Sequence, residues 1–380
     1  MKLLALAGDA SALIFEIRLR TPLTALVGQE GWALRCLSFH DCTHADMAWA
    51  DVLVIQRGFT PRALRWQQRA WWRGVAVVYE IDDLLTALPT HISNAAAIAA
   101  QQPGLRRCVL NADALSVSTQ RLGASLANTL RQPASLPAVF VVPNHALPLA
   151  EAALPQQHDT QPVSLVFASM ERLAGGVLFD ALKALPPQAV RIHAFGPPAQ
   201  QFLEAGIDVE AHRLMPRAAF IDFVRSRPNP LAVIPLEDSL FASCKSALKW
   251  FEYAEAGVPV LCSQVSPYVE VVADGVTGRL VPNTAQAWAQ ALRAAVADAP
   301  WRATIANAAR QQVRQFHTLA HTVSAWRTVL SAAVAQRQTL GRVPMPWAAG
   351  VSETVSAASE GAALALRRWN RKRLAGRQRP

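Results

Sequence analysis

Lys245, Lys249 and Glu252 fall within "SCKSALKWFEYAEAGVPVLCS", residues 243–263, of a chain that otherwise uses arginine for its positive charge. Only five of its 37 basic residues are lysines, and two of them stand here, four positions apart. Residues 245, 249 and 252 are spaced i, i+4 and i+7, so they share one face of a helix. The run 231–263 reads as strand "LAVIPL", loop "EDSLFASC", helix "KSALKWFEYAEA", a stop at Gly257, and strand "VPVLCS". That reading puts Lys245 in the first helical turn. A cation there opposes the helix dipole by ~0.3–1 kcal/mol, but it strengthens the anion site that free helix amides already form. Glu252, two turns on, can accept hydrogen bonds from both hydroxyls of a ribose, each worth about 1.5–3 kcal/mol when charge-assisted. The stripe then reads as cations for a diphosphate and a carboxylate for a sugar. The competing reading is a solvated amphipathic face on which Lys249 pairs with Glu252. The preceding buried strand, the scarcity of lysine, and Trp250, Phe251 and Tyr253 on the other faces balance the two readings.

The elements that must position such a stripe are short apolar runs alternating with helical patterns. Strands are expected at 2–7, 52–56, 75–80, 114–119 and 139–143, then at 163–169, 190–196, 231–236, 258–263 and 278–282. These runs are apolar without alternation, as in parallel sheets covered by helices on both faces. The intervening lengths suit crossover helices. The fold class is therefore α/β, two doubly wound Rossmann-like domains facing across a cleft. Ligands of such sheets bind beyond the carboxyl ends of the strands. The expected organisation is a first domain over 1–150, a linker over 151–162 and a second domain over 163–317. A helix over 318–340 returns to the first domain, and 341–380 form a linker and basic tail.

Composition narrows the function classes. Hydrophobic residues make up 52% and charged residues 17%, a globular balance. Seven of the ten net positive charges lie in "RRWNRKRLAGRQR", residues 367–379, so no domain face is basic enough for nucleic acid. The tail 362–379 can be drawn as a short basic helix suited to an anionic membrane surface, or as a solvated tail. No apolar run spans a bilayer, and "MKLLALAGDAS" reads as a first strand rather than a leader, which points to a cytoplasmic protein. Cys36, His40, Cys42 and His44 are zinc-ligand types, but the spacing lacks the C-x2-C pair of structural zinc sites. Neither G-x-G-x-x-G nor a Walker A loop is present, which weakens dehydrogenase and P-loop readings.

The segment "KSALKWFEYAEAGVPVLCSQVSPYVEVVADGVTGRLVPNTAQAWAQAL" resembles the donor-binding part of glycosyltransferase family 4 (group 1), enzymes of the GT-B fold. "VVYEIDDLL", "NADALSVSTQRLGASL" and "VFVVPN" are similar to acceptor-domain segments of bacterial polysaccharide and lipopolysaccharide members, and the resemblance covers about residues 1–335. It implies a retaining transfer from a nucleotide-sugar to a glycan or lipid-linked acceptor in surface polysaccharide synthesis. The enzyme would need no metal or other cofactor and would be cytoplasmic, at most peripheral on the inner face of the membrane. By the same resemblance Glu252 binds the nucleotide ribose as the second carboxylate of the family's motif. The first carboxylate falls on Cys244, so Glu237 or Asp238 takes its place toward the transferred sugar. Lys245, Lys249 and Arg172 become the diphosphate's cations, with Ser246 and Ala247 offering helix-start amides. The family's acceptor-side catalytic histidine falls on Asp82, beside Asp83; as an alternative, either aspartate caps a helix over "LLTAL". Asn144 matches the hinge, and Glu270 and the turn "DGVTG" with Gly275 and Gly278 also match. A non-catalytic scaffold on this fold, motivated by Cys244, and a sugar-nucleotide epimerase are the alternatives.

Overall fold

In the computed structural model, residues 1–340 are described, apart from 93, 131–135, 150–153, 159–161 and 174–175. The linker and basic tail expected over 341–380 lie outside the described residues. Among the described residues, twelve strands form two sheets of six, every pairing parallel. The first holds β1 (Lys2–Ala7), β2 (Ala33–Ser38), β3 (Val52–Gln56), β4 (Ala76–Ile81), β5 (Ala114–Val117) and β6 (Ala138–Val141). The second holds β7 (Val163–Ala168), β8 (Val190–Phe195), β9 (Glu210–His212), β10 (Pro230–Ile234), β11 (Val260–Ser263) and β12 (Arg279–Val281).

The apolar runs are continuous because both faces of each sheet are packed. Leu4, Leu6, Leu53 and Ile55 join one core, while Leu3, Ala5, Val52 and Val54 join the core on the opposite face. The second sheet divides likewise between Val166 and Ala232 on one side and Leu165 and Leu231 on the other. Two strands lie outside the ten expected ranges. β2, around Cys36, is an edge strand with Ala33 and Arg35 exposed and its other residues half-buried, so its apolar run is interrupted. β9 has three residues, Glu-Ala-His, and its signal is too short and too polar.

The sheet orders fix where the carboxyl ends open. The first runs β2-β1-β3-β4-β5-β6 and the second β12-β11-β10-β7-β8-β9. All strands stay parallel, but the direction in which the chain adds strands across the sheet reverses between β1 and β3, and again between β7 and β10. A crevice forms at such a switch point because neighbouring connections leave on opposite faces.

The helix Leu319–Leu340 carries the chain back onto the first sheet. Val323, Trp326, Val329 and Leu330 are buried in the core of that sheet. Trp326 Nε1 donates to the Arg18 carbonyl at 3.0 Å. Arg337 donates from Nη2 to buried Asp113 at 2.6 Å, and the same carboxylate accepts the Val77 amide at 2.7 Å. Removing one partner of a buried pair leaves the other uncompensated, so Arg337→Met is expected to cost about 3 kcal/mol. Burial already pushes the Asp113 carboxyl up. The loss, read by urea unfolding, should therefore shrink as pH falls and Asp113 protonates.

Candidate active site

A cavity of about 750 Å³ lies between the two sheets, lined from both switch points. Leu13 and Ile14 after β1, Arg57 after β3, and Asp82 and Asp83 after β4 form one wall. Glu171 and Arg172 after β7, Leu236 and Glu237 after β10, and Lys245, Ser246, Lys249 and Glu252 form the other.

The second wall is built by the helix Leu248–Glu255. Trp250, Phe251, Tyr253 and Ala254 are buried in the second domain's core, and Trp250 Nε1 donates to the Thr277 carbonyl at 3.0 Å. The opposite face turns Lys249 and Glu252 to the cavity. The expected helix over 245–256 is corrected at its start. Ser239 caps a separate short helix, Leu240–Ser243, by accepting the Ala242 amide at 3.1 Å. Lys245 sits in the turn between the two helices, and the longer helix begins only at Leu248. Lys245 still reaches the same cavity, so the three side chains remain together, although one is not helical.

Their electrostatics differ sharply. Lys245 Nζ lies 3.2 Å from Asp83 Oδ1, across the cleft, and 4.4 Å from the Phe241 ring centroid. Lys249 has no ion pair among the described residues. Burial, and then the Lys245 charge, push its ammonium down to about 8 against the pull of Glu252. A partly buried cation without a counter-ion is a place where a ligand anion gains most. Glu252 is held at Oε1 by Arg217 Nε, and Arg217 also donates to the His145 carbonyl at 3.0 Å. Burial pushes the Glu252 carboxyl up despite Arg217. Arg217 was missed by sequence reasoning. Its one local signal is a cation at the first residue of the helix Arg217–Arg225, where the dipole disfavours it unless a carboxylate holds it.

Ser246 accepts a 2.6 Å hydrogen bond from Asn144 Nδ2. Asn144 Oδ1 accepts in turn from Arg18, which pairs with Glu80 at 2.7 Å, both side chains fully buried. A buried ion pair in the first domain thus positions a cavity hydroxyl of the second.

On the first wall Arg57 binds both aspartates. Its guanidinium takes both oxygens of Asp82 and reaches Asp83 Oδ2 at 2.7 Å. Arg57 has φ +46°, a left-handed backbone that costs a non-glycine residue about 1 kcal/mol or more and clusters at functional sites. This residue was also missed; a strand-end "QRG" is its only local sign. Burial raises the Asp83 carboxyl, but Lys245 and Arg57 outweigh it and hold it below the usual carboxylate range. Residues 84–88 form no helix, so the capping alternative for Asp82 and Asp83 is corrected: there is nothing there to cap.

The remaining candidates divide. Glu237 faces the cavity and accepts from Ser239 Oγ at 2.8 Å. Asp238 is exposed and does not line it, and Ala247 is buried behind it. Arg172 stands at the rim, half-exposed and paired with Glu204 at 3.0 Å. Cys244, at the position of the family's first carboxylate, does not face the cavity. It is fully buried with Phe241 in the core of the first domain, and its carbonyl accepts from Thr119 Oγ1 at 2.9 Å. Cys36, His40, Cys42 and His44 do not converge as a ligand set among the described residues; His44 packs edge-on against Trp66.

Residues 246–312 match the family described as Glycosyl transferases group 1. The chain is structurally similar to Anabaena Alr3699/HepE, solved in complex with UDP and glucose, with a TM-score of 0.59 at 18% identity, covering 87% of this chain and all of that one. It is similar to sucrose-phosphate synthase from Thermosynechococcus elongatus, with a TM-score of 0.63 at 16% identity and the same coverage. A glycosyltransferase from Rickettsia africae ESF-5 gives 0.55 at 12% identity, covering 88% of this chain and 98% of that one. No curated protein matches the sequence significantly. The two parallel six-stranded sheets and the cleft between their switch points are thus the GT-B fold, and the second domain carries the segment of Glycosyl transferases group 1.

Proposed function

We propose that the protein transfers a sugar, with retention, from a nucleoside diphosphate donor to a hydroxyl acceptor held in the cleft. The observation that carries this reading is Lys249: a half-buried ammonium with no counter-ion, beside Lys245 and Glu252 at a sheet switch point. In this reading Lys245, Lys249 and the Ser246 hydroxyl hold the diphosphate and neutralise its charge as it leaves, with no metal ion required. Glu252, oriented by Arg217, keeps one oxygen for the ribose diol. Arg172 guards the rim, and Glu237 faces the transferred sugar in the role that Cys244 does not fill. A diphosphate draws Lys245 away from Asp83, which frees Asp83 Oδ1 to accept from the attacking hydroxyl while Arg57 steadies Asp82 and Asp83. Asp82, Asp83, Glu237 and Glu252 each already have a hydrogen-bond donor, which favours attack on the donor face over a covalent glycosyl-enzyme at these four.

The first wall is apolar around Leu13, Ile14, Ile17, Leu85 and Leu88. That supports an acceptor with a hydrophobic part, such as a lipid-linked glycan of surface polysaccharide or lipopolysaccharide synthesis. The tail 362–379 would then hold the enzyme at the anionic inner surface of the membrane. Among the described residues no helix is long and apolar enough to cross a membrane.

The buried Cys244 favours a second reading, a scaffold that binds nucleotide-sugar without turnover. Incubating the full chain with labelled UDP-, GDP- and dTDP-sugars separates the two. Slow hydrolysis or transfer from one donor is the expected result, and an isomerised, untransferred sugar would indicate an epimerase. Binding without turnover across the panel would establish the scaffold.

A further inference from the structure

His193 on β8 stands opposite Glu210 on β9, and Phe195 opposite His212, at the far edge of the second sheet. Residues two apart on a strand share a face, so His193, Glu210 and His212 all project toward the helix Arg217–Arg225. That helix supplies Phe220 and Phe223. The Phe223 ring meets both imidazoles edge-on, and Phe195 stacks on His212 with centroids 4.6 Å apart. The rings are therefore held by packing before any ligand arrives.

His193 Nδ1 lies 3.2 Å from Glu210 Oε2 and 3.3 Å from His212 Nε2. One ring nitrogen carries at most one proton and cannot make two full hydrogen bonds at once. Those two separations are close to those across a shared ion: ligand atoms ~2.0–2.2 Å from a tetrahedral zinc lie about 3.3–3.6 Å from each other. All three ligand atoms fall within 4.8 Å of one another, the one such group of His, Cys, Asp and Glu among the described residues. His193 is buried, while the Glu210 side chain is 56% exposed, so water has access to a fourth position. Burial first, and the nearby Arg227, keep both imidazoles below their usual range, hence neutral and able to ligate at pH 7. Arg191 and Arg227 also oppose a cation, and their field tempers the affinity.

We propose that His193, Glu210 and His212 form a binding site for a divalent transition ion of the zinc class, with water completing the tetrahedron. The ion would clip the three-residue edge strand β9 to β8. It would also brace the packing of the helix whose first residue, Arg217, orients Glu252. The proposal does not depend on the transfer reading, since the site lies outside the cavity.

The test uses the full chain, stripped with a chelator and titrated with Co²⁺ as a spectroscopic probe and then with Zn²⁺. One equivalent of Co²⁺ should give the intense visible bands of a tetrahedral ion, and Zn²⁺ should displace it. Zn²⁺ should raise the melting temperature. Glu210→Gln, at an exposed position, and His212→Phe, which keeps the stack on Phe195, should each weaken metal binding about tenfold or more. Wild-type protein that binds no Co²⁺, or variants that bind it as tightly as wild type, would overturn the site.

Discussion

Replacing Lys249 by methionine is expected to stabilise the free protein and to remove most of the stabilisation that a nucleoside diphosphate confers. The two effects have one cause. Lys249 titrates near 8 in the fold, against 10.5 for the unperturbed group, so the fold disfavours its charge. A gap of that size corresponds to about 3 kcal/mol in full, and partial solvation leaves roughly 1–2 kcal/mol for a methionine of similar length to recover. The sign in pH follows from proton counting. Between about 8 and 10.5 the unfolded chain binds the proton more tightly than the fold, so wild-type stability rises with pH across that window. The methionine variant's advantage is thus full below pH 8 and fades above it. Ligand binding runs the other way. A diphosphate favours the charged ammonium, so its affinity holds below pH 8 and falls above it. Loss of one charge-assisted contact costs about 1.5–3 kcal/mol, roughly 10- to 100-fold in Kd. Thermal melts with and without UDP, GDP or dTDP, together with inorganic pyrophosphate, provide the check. A variant that is no more stable than wild type and still shifts fully with pyrophosphate would remove Lys249 from the diphosphate site.

That the stripe could be found in the sequence, and the two arginines that hold the cavity's carboxylates could not, has a physical reason. Helix periodicity relates residues a few positions apart, so Lys249 and Glu252 announce a shared face by spacing alone. Lys245 kept its place in the cavity but not in the helix, because Ser239 nucleates a competing short helix that ends at Ser243. Arg57 and Arg217 meet their carboxylates across 25 and 35 residues of chain, and no local period encodes such a meeting. The same distinction governs the fold. β1, β3, β4, β5, β7 and β10 read as strands because both faces are buried and their positions are mostly apolar or small, with Lys2, Gln56 and Glu80 as the charged or amide exceptions. β2 and β9 are edges, where one side of the ladder is bare and the residues answer to solvent as much as to the core. The burial of Cys244 against the first domain depends on how the two domains dock, which no stretch of sequence displays.

Glu252→Ala should prove the most damaging single change at the site, and the reason for the damage can be divided experimentally. Glu252 and Arg217 are both nearly buried, with 12% and 10% of their side chains exposed. Truncating the glutamate leaves a buried guanidinium unpaired, a loss of about 3–5 kcal/mol in stability. Removing Arg217 as well, in Glu252→Ala with Arg217→Met, should restore most of it, because an ion pair replaced by apolar groups is often close to neutral. Nucleotide recognition should not return with the stability. If the free oxygen of Glu252 binds the ribose diol, wild type prefers a ribonucleoside diphosphate to its 2′,3′-dideoxy analogue by about 10- to 100-fold. Glu252→Gln, which keeps the shape and a hydrogen bond to Arg217, should erase that preference while pyrophosphate binding, carried by Lys245 and Lys249, persists. Calorimetric titration of the two nucleotides and pyrophosphate into wild type and Glu252→Gln measures each term. An unchanged preference in Glu252→Gln would confine the glutamate to holding Arg217, and the ribose would have to find its partner elsewhere on the cavity wall.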